Sequence, residues 1–262
     1  MARPVASVPS AASRRALITG ATAGIGAEFA RQLAARGYDL VLVARDLRRL
    51  DRVAADLSER FGIDVHVIDV DLADAVALAD VEKRLADPMR PIDLLVNNAG
   101  YGLKHDFEAN DIEQEQRLLA VLVTAPMRLT HAALTQMLPR RHGTVINVAS
   151  IAAFTPRGTY GAAKAWVLSF SRWANLHYRA QGVTVTALAP GLVYTEFHQR
   201  MGTQASRVPR VAWLTTQRVV RVALRDAEHG KALSVPSLRY KLAALATRVI
   251  PARWAAVGRL GD

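Results

Sequence analysis

The sequence contains no cysteine among its 262 residues. Disulfide bonds, thiolate nucleophiles and metal sites built on sulfur are therefore excluded. The 7 histidines are dispersed without the spacing of metal ligands, so we expect no metal site. No apolar stretch runs uninterrupted for the length that a membrane-spanning helix requires, and the sequence predicts no such span.

Two catalytic signatures are also missing. A nucleophile elbow of the form Gly-x-Ser-x-Gly does not occur, which excludes the hydrolases that use it. The glycine-rich segment near the N-terminus is not followed by Gly-Lys-Ser or Gly-Lys-Thr, which excludes a P-loop kinase. The net charge is +11, but the basic residues are mostly scattered and no run of aromatic residues interleaves with them, so we expect no nucleic-acid partner.

The two ends of the chain differ in composition from the middle. Residues 1–14 are rich in Ala, Ser and Pro and lack the apolar core of a secretory signal, so we expect a disordered tail and a cytoplasmic protein. Residues 236–262 read as a basic amphipathic extension, with leucines and a valine on one helical stripe: Leu238, Leu242, Leu245 and Val249. This pattern predicts either peripheral contact with an anionic membrane, a cover for a lipophilic pocket, or a helix packed on the domain or on a partner subunit.

Between these ends, residues 15–235 alternate short apolar runs with longer segments of helical period. We predict strands at 16–19, 39–44, 64–69, 92–97, 144–148, 184–189 and 232–235. A helix starts near Ile25 and is expected to end at Gly37, and further helices are predicted at 47–61, 74–86, 112–138, 160–181 and 215–228. The pattern predicts an α/β fold, a doubly wound parallel sheet of the Rossmann type, in a single domain.

A glycine-rich segment joins the first predicted strand to the first helix. Gly20, Gly24 and Gly26 lie where a tight turn and close approach of a ligand are needed. Free backbone N–H groups and the positive end of the helix converge there, which suits a pyrophosphate. The alternative is an ordinary glycine-rich turn.

The second strand ends in Ala44 and Arg45, at the position that faces the adenosine ribose of a dinucleotide. An acidic residue there would hold the 2′-hydroxyl of NAD, and Ala44 has no such group. The guanidinium of Arg45 is suited to a 2′-phosphate, so NADP(H) is favoured. Arg45 could instead be a solvated charge at the start of the next helix.

Tyr160 and Lys164 are one helical turn apart, so their side chains share one face of a helix. A nearby ammonium favours the phenolate and is expected to lower the pKa of the tyrosine, which suits an acid/base role. Ser150, just past the fifth strand, is placed to hold a substrate oxygen. Alone, a tyrosine and a lysine at this spacing also occur on exposed helices.

These motifs, taken in order, resemble the short-chain dehydrogenase/reductase family over nearly all of residues 15–235. The resemblance implies a catalytic set of Ser150, Tyr160 and Lys164, with Lys164 also bonding the nicotinamide ribose. It also implies a set of cofactor contacts. These are Gly20, Thr22, Gly24, Ile25 and Gly26 in the phosphate loop, Arg45, Asp71, Leu72, Asn98, Ala99, Gly100, Tyr160, Lys164, Pro190, Gly191, Val193 and Thr195.

The chain departs from the family pattern at two places. Leu122 stands where the family usually has an asparagine that orders a water in the proton relay, so that relay is not expected here. The span from Ser150 to Tyr160 is about three residues shorter than usual, which changes the pocket mouth and leaves Thr155 and Thr159 as alternative hydroxyls.

The family resemblance implies that residues 192–213 form a mobile wall of the substrate pocket, with Phe197, Met201 and Trp213 apolar and His198 a loop residue. We expect an NADP(H)-dependent oxidoreductase that acts on a small-molecule carbonyl or alcohol, with a lipophilic ketone or oxo-acyl compound as the candidate substrate. The alternative is a dinucleotide-binding regulatory or scaffold protein with little turnover. Family members are often dimers or tetramers, so a homo-oligomer is expected.

Overall fold

A computed structural model of the chain describes residues 14–195 and 212–246. Its framework is one parallel sheet of seven strands in the order β3-β2-β1-β4-β5-β6-β7. The strands are β1 (Arg15–Thr19), β2 (Asp39–Ala44), β3 (Val65–Asp69), β4 (Leu94–Asn97), β5 (Gly143–Val148), β6 (Val183–Leu188) and β7 (Leu233–Ser234). Each predicted strand is confirmed, and no end shifts by more than two residues.

The central strands are apolar on both faces because helices cover both faces of the sheet. In β1, Ala16, Leu17 and Ile18 are all fully buried. Leu17 belongs to the core under one helical layer, whereas Ala16 and Ile18 belong to the core under the other. Alternate residues of one strand therefore serve two cores, which confirms the doubly wound architecture.

Eight helices lie within the described residues. They are α1 (Gly24–Ala34), α2 (Leu47–Phe61), α3 (Ala75–Leu85), α4 (Ile112–Leu119), α5 (Ala125–Arg140), α6 (Gly158–Tyr178), α7 (Thr216–Glu228) and α8 (Leu238–Ala246). Helices α1, α2 and α7 cover one face, and α3, α5 and α6 cover the other. Aspartates accept backbone hydrogen bonds at the start of α2 and α3, through Asp46 and Asp74.

The end of α1 differs from the sequence prediction. The helix ends at Ala34, and Gly37 lies three residues further on with a φ of 74°. Gly37 donates its N–H to the Ala34 carbonyl at 2.9 Å, so it closes the turn after the helix rather than capping it directly.

The helix predicted at 112–138 is interrupted by a π-helical turn at Ala120–Thr124, where the Ala125 N–H reaches back to the Ala120 carbonyl. The cause is in the sequence, since Pro126 has no N–H to offer the carbonyl of Leu122 four residues earlier. The whole run Ile112–Arg140 is long and apolar enough to cross a membrane by those two criteria alone. Half of its most apolar window is buried inside the fold, as in a core helix.

Helix α8 leaves Leu238, Leu242 and Leu245 exposed, while Tyr240 packs against the core. Residues 238–246 are therefore helical, and the amphipathic character of the whole extension stays a prediction. Residues 1–13 of the expected tail at 1–14 lie outside the described residues, as do the wall residues Phe197, His198 and Met201 and, with Val249, the rest of 247–262. Arg14, the last residue of that tail, is described and donates a hydrogen bond to the Arg36 carbonyl at 3.1 Å. Membrane contact by the extension therefore stays a prediction.

Candidate active site

The sheet order creates a crevice at the carboxyl ends of β1 and β4. The chain leaves β1 for β2 on one side and later enters β4 on the other, and ligands of open parallel sheets bind at such a switch point. The glycine loop after β1, the segment Asn98–Gly100 after β4 and Ser150 after β5 all lie at this edge.

The glycine loop has the backbone and the space that close ligand approach requires. Gly20 and Gly24 have φ angles of 66° and 57°, in the region that favours glycine. A Cβ on Gly26 would lie 2.2 Å from the Gly20 carbonyl oxygen and 2.4 Å from the Asn98 amide nitrogen. Side chains at these positions would fill or distort the loop.

The start of α1 is open to an anion. Its N-cap residue, Ala23, has no side-chain oxygen to accept the first N–H groups, and the first turn carries no acidic residue. The helix dipole and unpaired N–H groups favour negative charge at this end. The loop and helix start thus fit a dinucleotide pyrophosphate, and the residue contacts named for it stay a prediction.

Thr19 was missed as a contributor to this loop. Its hydroxyl accepts hydrogen bonds from the backbone N–H groups of Asn98 and Ala99, both at 3.0 Å. The Asn98 side chain in turn donates to the carbonyls of Thr19 and Gly20, at 2.9 and 3.2 Å. These bonds lock the loop after β1 to the end of β4, and the threonine before the first glycine was the available signal.

At the adenosine end of the crevice, Arg45 and Asp71 come together. Nη1 of Arg45 lies 4.0 Å from Oδ2 of Asp71. Arg117, on α4, donates a hydrogen bond to the same carboxylate oxygen. Leu72 is buried beside them. Sequence reasoning anticipated Arg45, Asp71 and Leu72 here but not Arg117, which carries no motif.

Tyr160 and Ser150 are joined by a side-chain hydrogen bond. Burial raises the pKa of Tyr160 to about 12, and the bond with Ser150 opposes this only in part. The expectation that Lys164 lowers the pKa of the tyrosine is wrong for this structure. The physical reason is that loss of hydration disfavours the phenolate more than its neighbours stabilise it.

Lys164 is buried one turn along α6, and its ammonium donates to the Val148 carbonyl at 2.7 Å. Nζ lies 5.8 Å from the centre of the Tyr160 ring. Burial lowers the pKa of Lys164 to about 8. The lysine is thus close to the tyrosine, and it is held by the end of β5.

Leu122 fills the place where the family resemblance puts a relay asparagine. It is buried in a small apolar cluster with Leu118 and Ala163, against which the ring of Tyr160 packs. A Cβ on Gly100 would lie 2.8 Å from Cδ2 of Leu122 and 3.7 Å from Nζ of Lys164. The region behind the catalytic pair is therefore packed with apolar groups.

The short span between Ser150 and Tyr160 folds as a 3-10 helix at Ile151–Phe154 followed by a tight turn. The Ser150 hydroxyl oxygen accepts the Ala152 N–H at 3.1 Å and so begins this turn. Gly158, with a φ of 54°, starts α6 two residues before Tyr160. The Thr155 hydroxyl accepts a hydrogen bond from Arg157 at 3.2 Å, whereas Ser150 is the hydroxyl that bonds Tyr160.

The segment after β6 crosses over the glycine loop. Thr195 lies against Gly24, since a Cβ there would be 3.0 Å from the Thr195 methyl carbon. Val193 is buried and forms a parallel bridge with Leu214, and the Pro190 carbonyl accepts the Ile151 N–H at 3.0 Å. These contacts bring the predicted nicotinamide end of the crevice together.

Gly191 has a structural reason to be glycine that the sequence did not indicate. A Cβ at this position would lie 2.1 Å from the ring of Tyr240 on α8. The Tyr240 hydroxyl accepts the Leu192 N–H at 3.2 Å and donates to the Ala212 carbonyl at 2.7 Å. The C-terminal helix thus supports the segment that follows β6.

A buried polar network behind the site was also missed. The Asn97 amide donates to Asn147 at 2.8 Å and to the Thr130 hydroxyl at 3.2 Å, and Asn147 donates to Ser171 at 2.9 Å. These bonds join β4, β5, α5 and α6 and fix the strand ends that carry the catalytic residues. Across residues 14–195 and 212–246, no group of acidic residues and histidines is arranged to hold a metal ion.

This chain is similar to known proteins in both sequence and fold. The family model described as short chain dehydrogenase matches residues 14–206. A short-chain dehydrogenase from Sphingobium yanoikuyae, solved in complex with NADPH, is 34% identical with a TM-score of 0.82, covering 90% of this chain and 94% of that one. The bulky-bulky ketone specific alcohol dehydrogenase from Comamonas testosteroni is 32% identical with a TM-score of 0.79, covering 91% and 93%.

A curated relative extends the comparison. The very-long-chain 3-oxoacyl-CoA reductase of Anas platyrhynchos is 30% identical over 190 residues, and the match spans 69% of this chain and 60% of that enzyme. The family model and the sequence identities agree with the ordered motifs, and the similar solved structures agree with the seven-stranded sheet. The chain therefore belongs to the short chain dehydrogenase family of oxidoreductases.

Proposed function

We propose that this protein reduces a carbonyl compound to an alcohol, with NADPH as the hydride donor. The observation that carries the proposal is the hydrogen-bonded pair of Ser150 and Tyr160, with the buried Lys164 beside it, at the carboxyl edge of the sheet. The hydroxyl pair lies at the same edge as the glycine loop, as a reaction between a dinucleotide and a small molecule requires.

The cofactor proposal is supported at both ends of the crevice. The open start of α1 and the glycine loop would hold the pyrophosphate, and Arg45 would pair with the 2′-phosphate. The dehydrogenase from Sphingobium yanoikuyae was solved with NADPH, which agrees with this assignment. When bound, NADPH supplies the hydride and the chain supplies the proton.

In the proposed mechanism Ser150 and Tyr160 both bond the carbonyl oxygen of the substrate. The raised pKa keeps Tyr160 protonated at neutral pH, so its hydroxyl is ready to donate as negative charge grows on that oxygen. An alkoxide is a much stronger base than a phenolate, so this transfer is downhill. Lys164 would hold the nicotinamide ribose beside Tyr160, as the family resemblance implies.

We propose a bulky lipophilic ketone or an oxo-acyl compound as the substrate. Apolar groups surround the catalytic pair, with Tyr101 and Leu103 packed on the cluster of Leu122. In the segment after β6, Tyr194 stacks on Trp213 with ring centres 4.7 Å apart. The relatives specific for bulky ketones and for 3-oxoacyl thioesters by name support this choice.

We further propose that two copies of this chain associate through α6. Its outer face carries a stacked series of aromatic rings, with Trp166 and Phe170 at 4.9 Å and Trp173 and His177 at 5.4 Å. Trp173 and Leu176 are more than half exposed on the described surface. An apolar face on a long helix suits a self-complementary contact between identical subunits.

A cytoplasmic location stays a prediction of the sequence.

The test is a spectrophotometric screen of NADPH oxidation against aldehydes, bulky ketones and oxo-acyl esters. We expect turnover with bulky apolar carbonyl compounds and little with small polar aldehydes. Binding of NADPH without turnover on any compound would instead favour the dinucleotide-binding regulatory or scaffold protein, for which the apolar replacement Leu122 is the supporting observation.

A further inference from the structure

Two guanidinium groups share one carboxylate oxygen at the adenosine end of the crevice. Arg117 donates from Nη2 to Oδ2 of Asp71, and Nη1 of Arg45 lies 4.0 Å from the same atom. The other oxygen, Oδ1, accepts the Ala73 N–H at 3.0 Å. The Ala73 N–H thus holds the Asp71 carboxylate from within its own loop, and the charge of Arg117 on α4 neutralises it.

The two arginines are not equivalent partners of Asp71. Arg117 comes from α4 and makes a direct charge-assisted hydrogen bond, the stronger kind of contact. Arg45 comes from the end of β2, is 64% exposed, and lies just within ion-pair distance. Arg117 is therefore the main partner of the Asp71 carboxylate, and the guanidinium of Arg45 stays open to another anion.

We propose that Arg117 is a positioning residue that sets the preference for NADP(H), by neutralising Asp71 and leaving Arg45 free for the 2′-phosphate. This inference rests on the proposed function and concerns the same site. It gives α4 a role in cofactor choice in addition to that of Arg45 at the end of β2.

The charges explain why the second arginine matters. A phosphomonoester carries close to two negative charges, and a 2′-phosphate paired with Arg45 would lie near the carboxylate of Asp71. Without Arg117, Asp71 would repel that phosphate and compete with it for Arg45. With Arg117, the three side chains together carry a single positive charge. NADH presents an uncharged hydroxyl at this place and is insensitive to the difference.

The charges of Arg117 and Arg45 also act on the neighbouring side chain of Tyr101. Burial raises the pKa of Tyr101, and the charges of Arg117 and Arg45 oppose that rise. The carboxylate of Glu115, also on α4, accepts a hydrogen bond from the Asn110 amide at 2.9 Å.

The experiment measures equilibrium dissociation constants of the Arg117→Gln variant for NADPH, for NADH and for adenosine 2′,5′-bisphosphate. We expect NADPH and the bisphosphate to bind about tenfold more weakly and NADH to change less than about twofold. The loss should shrink as salt is raised from about 0.05 M to about 0.5 M, since it is electrostatic and partly exposed.

Two further variants separate charge from packing. Asp71→Asn added to Arg117→Gln removes the uncompensated carboxylate and should recover most of the lost NADPH affinity, which a purely structural role would not predict. Arg128→Gln is the matched control, because Arg128 on α5 pairs with Glu82 on α3 at 2.7 Å, joining the same layer away from the crevice. That control should leave all three constants unchanged.

The outcomes distinguish this inference from the proposed function. Equal weakening of NADPH and NADH, or no change in either, overturns the role of Arg117 while the reductase proposal stands. Failure of the unaltered protein to bind any of the three ligands overturns the proposed function itself.

Discussion

The hydroxyl of Tyr160 is the group on which the proposed chemistry depends. It bonds Ser150 and packs on the apolar cluster of Leu122. Burial raises its pKa to about 12, so it stays protonated well above neutral pH. A protonated tyrosine favours the direction in which a proton is given, which is reduction.

We expect Tyr160→Phe to lower turnover by about three orders of magnitude, because it removes the proton donor. The dissociation constant of NADPH should stay within about twofold. Rapid-reaction hydride transfer and ligand titration measure the two quantities. The control is Tyr178→Phe on the same helix, which should retain activity, and full turnover in the Tyr160 variant would exclude it from the mechanism.

Lys164 makes stability depend on pH in a definite direction. Its pKa is about 8 in the folded protein and 10.5 in its unperturbed state. Between these values the unfolded chain binds more protons than the folded chain, so the free energy of unfolding rises with pH. The rise is at most about 3 kcal/mol and is complete once pH exceeds the unfolded value.

Urea denaturation from pH 7 to pH 9.5 should therefore show this rise in the unaltered protein and a flatter profile in Lys164→Met. Lys104→Met, which removes an exposed lysine, is the control and should follow the unaltered protein. Parallel profiles for the unaltered and Lys164→Met proteins would contradict the lowered pKa. Tyr160 opposes the trend only above about pH 10.

At the scale of elements, the loop between β1 and α1 has little freedom to change. Gly26→Ala would place a Cβ against the Gly20 carbonyl and the Asn98 amide. We expect a loss of about 1 to 3 kcal/mol in stability and at least about tenfold weaker NADPH binding, since the loop has to move. Thermal unfolding and ligand titration provide the measurements.

The control for this substitution is Gly62→Ala at the end of α2. Gly62 has a φ of 63° and nothing within 4 Å of its Cβ direction, so alanine there is strained without touching the crevice. That variant should lose about 1 kcal/mol of stability and bind NADPH normally. Weakened binding in both variants would point to general destabilisation rather than to the loop.

Sequence patterns were sufficient for the strands and most of the helices because buried strands and amphipathic helices have distinct periods. They were insufficient for Arg117, because an arginine on a helix surface carries no signal of the distant carboxylate it meets. They also missed the bonds of Asn97, Asn147 and Ser171, which depend on three-dimensional adjacency. The predicted lowering of the Tyr160 pKa was wrong for the same reason, because burial of the hydroxyl is a property of the packed fold.

A π turn interrupts the helix formed by α4 and α5. Leu122 lies at the centre of this turn, where Pro126 denies the helix a donor. The apolar side chain then packs behind Tyr160 instead of binding water. The proposed mechanism therefore uses no proton relay through this position.

For the whole molecule, the exposed face of α6 predicts association of two copies. Leu176→Glu should convert a dimer to a monomer, because the buried charge would appear twice in a self-complementary contact and cost at least about 2 kcal/mol each time. Sedimentation velocity measures the change. Leu242→Glu on α8 is the control and should leave the oligomeric state unaltered, whereas an unchanged dimer for Leu176→Glu would exclude α6 as the interface.

Tyr240 ties the C-terminal helix to the backbone on either side of residues 196–211, through the Leu192 N–H and the Ala212 carbonyl. Its ring also occupies the space that any side chain at position 191 would need. Relatives of this protein should consequently accept changes at these two positions only together. Where a larger residue replaces the glycine, the aromatic ring on the last helix should be absent, so the two sites form a coevolving pair although 49 residues separate them in the chain.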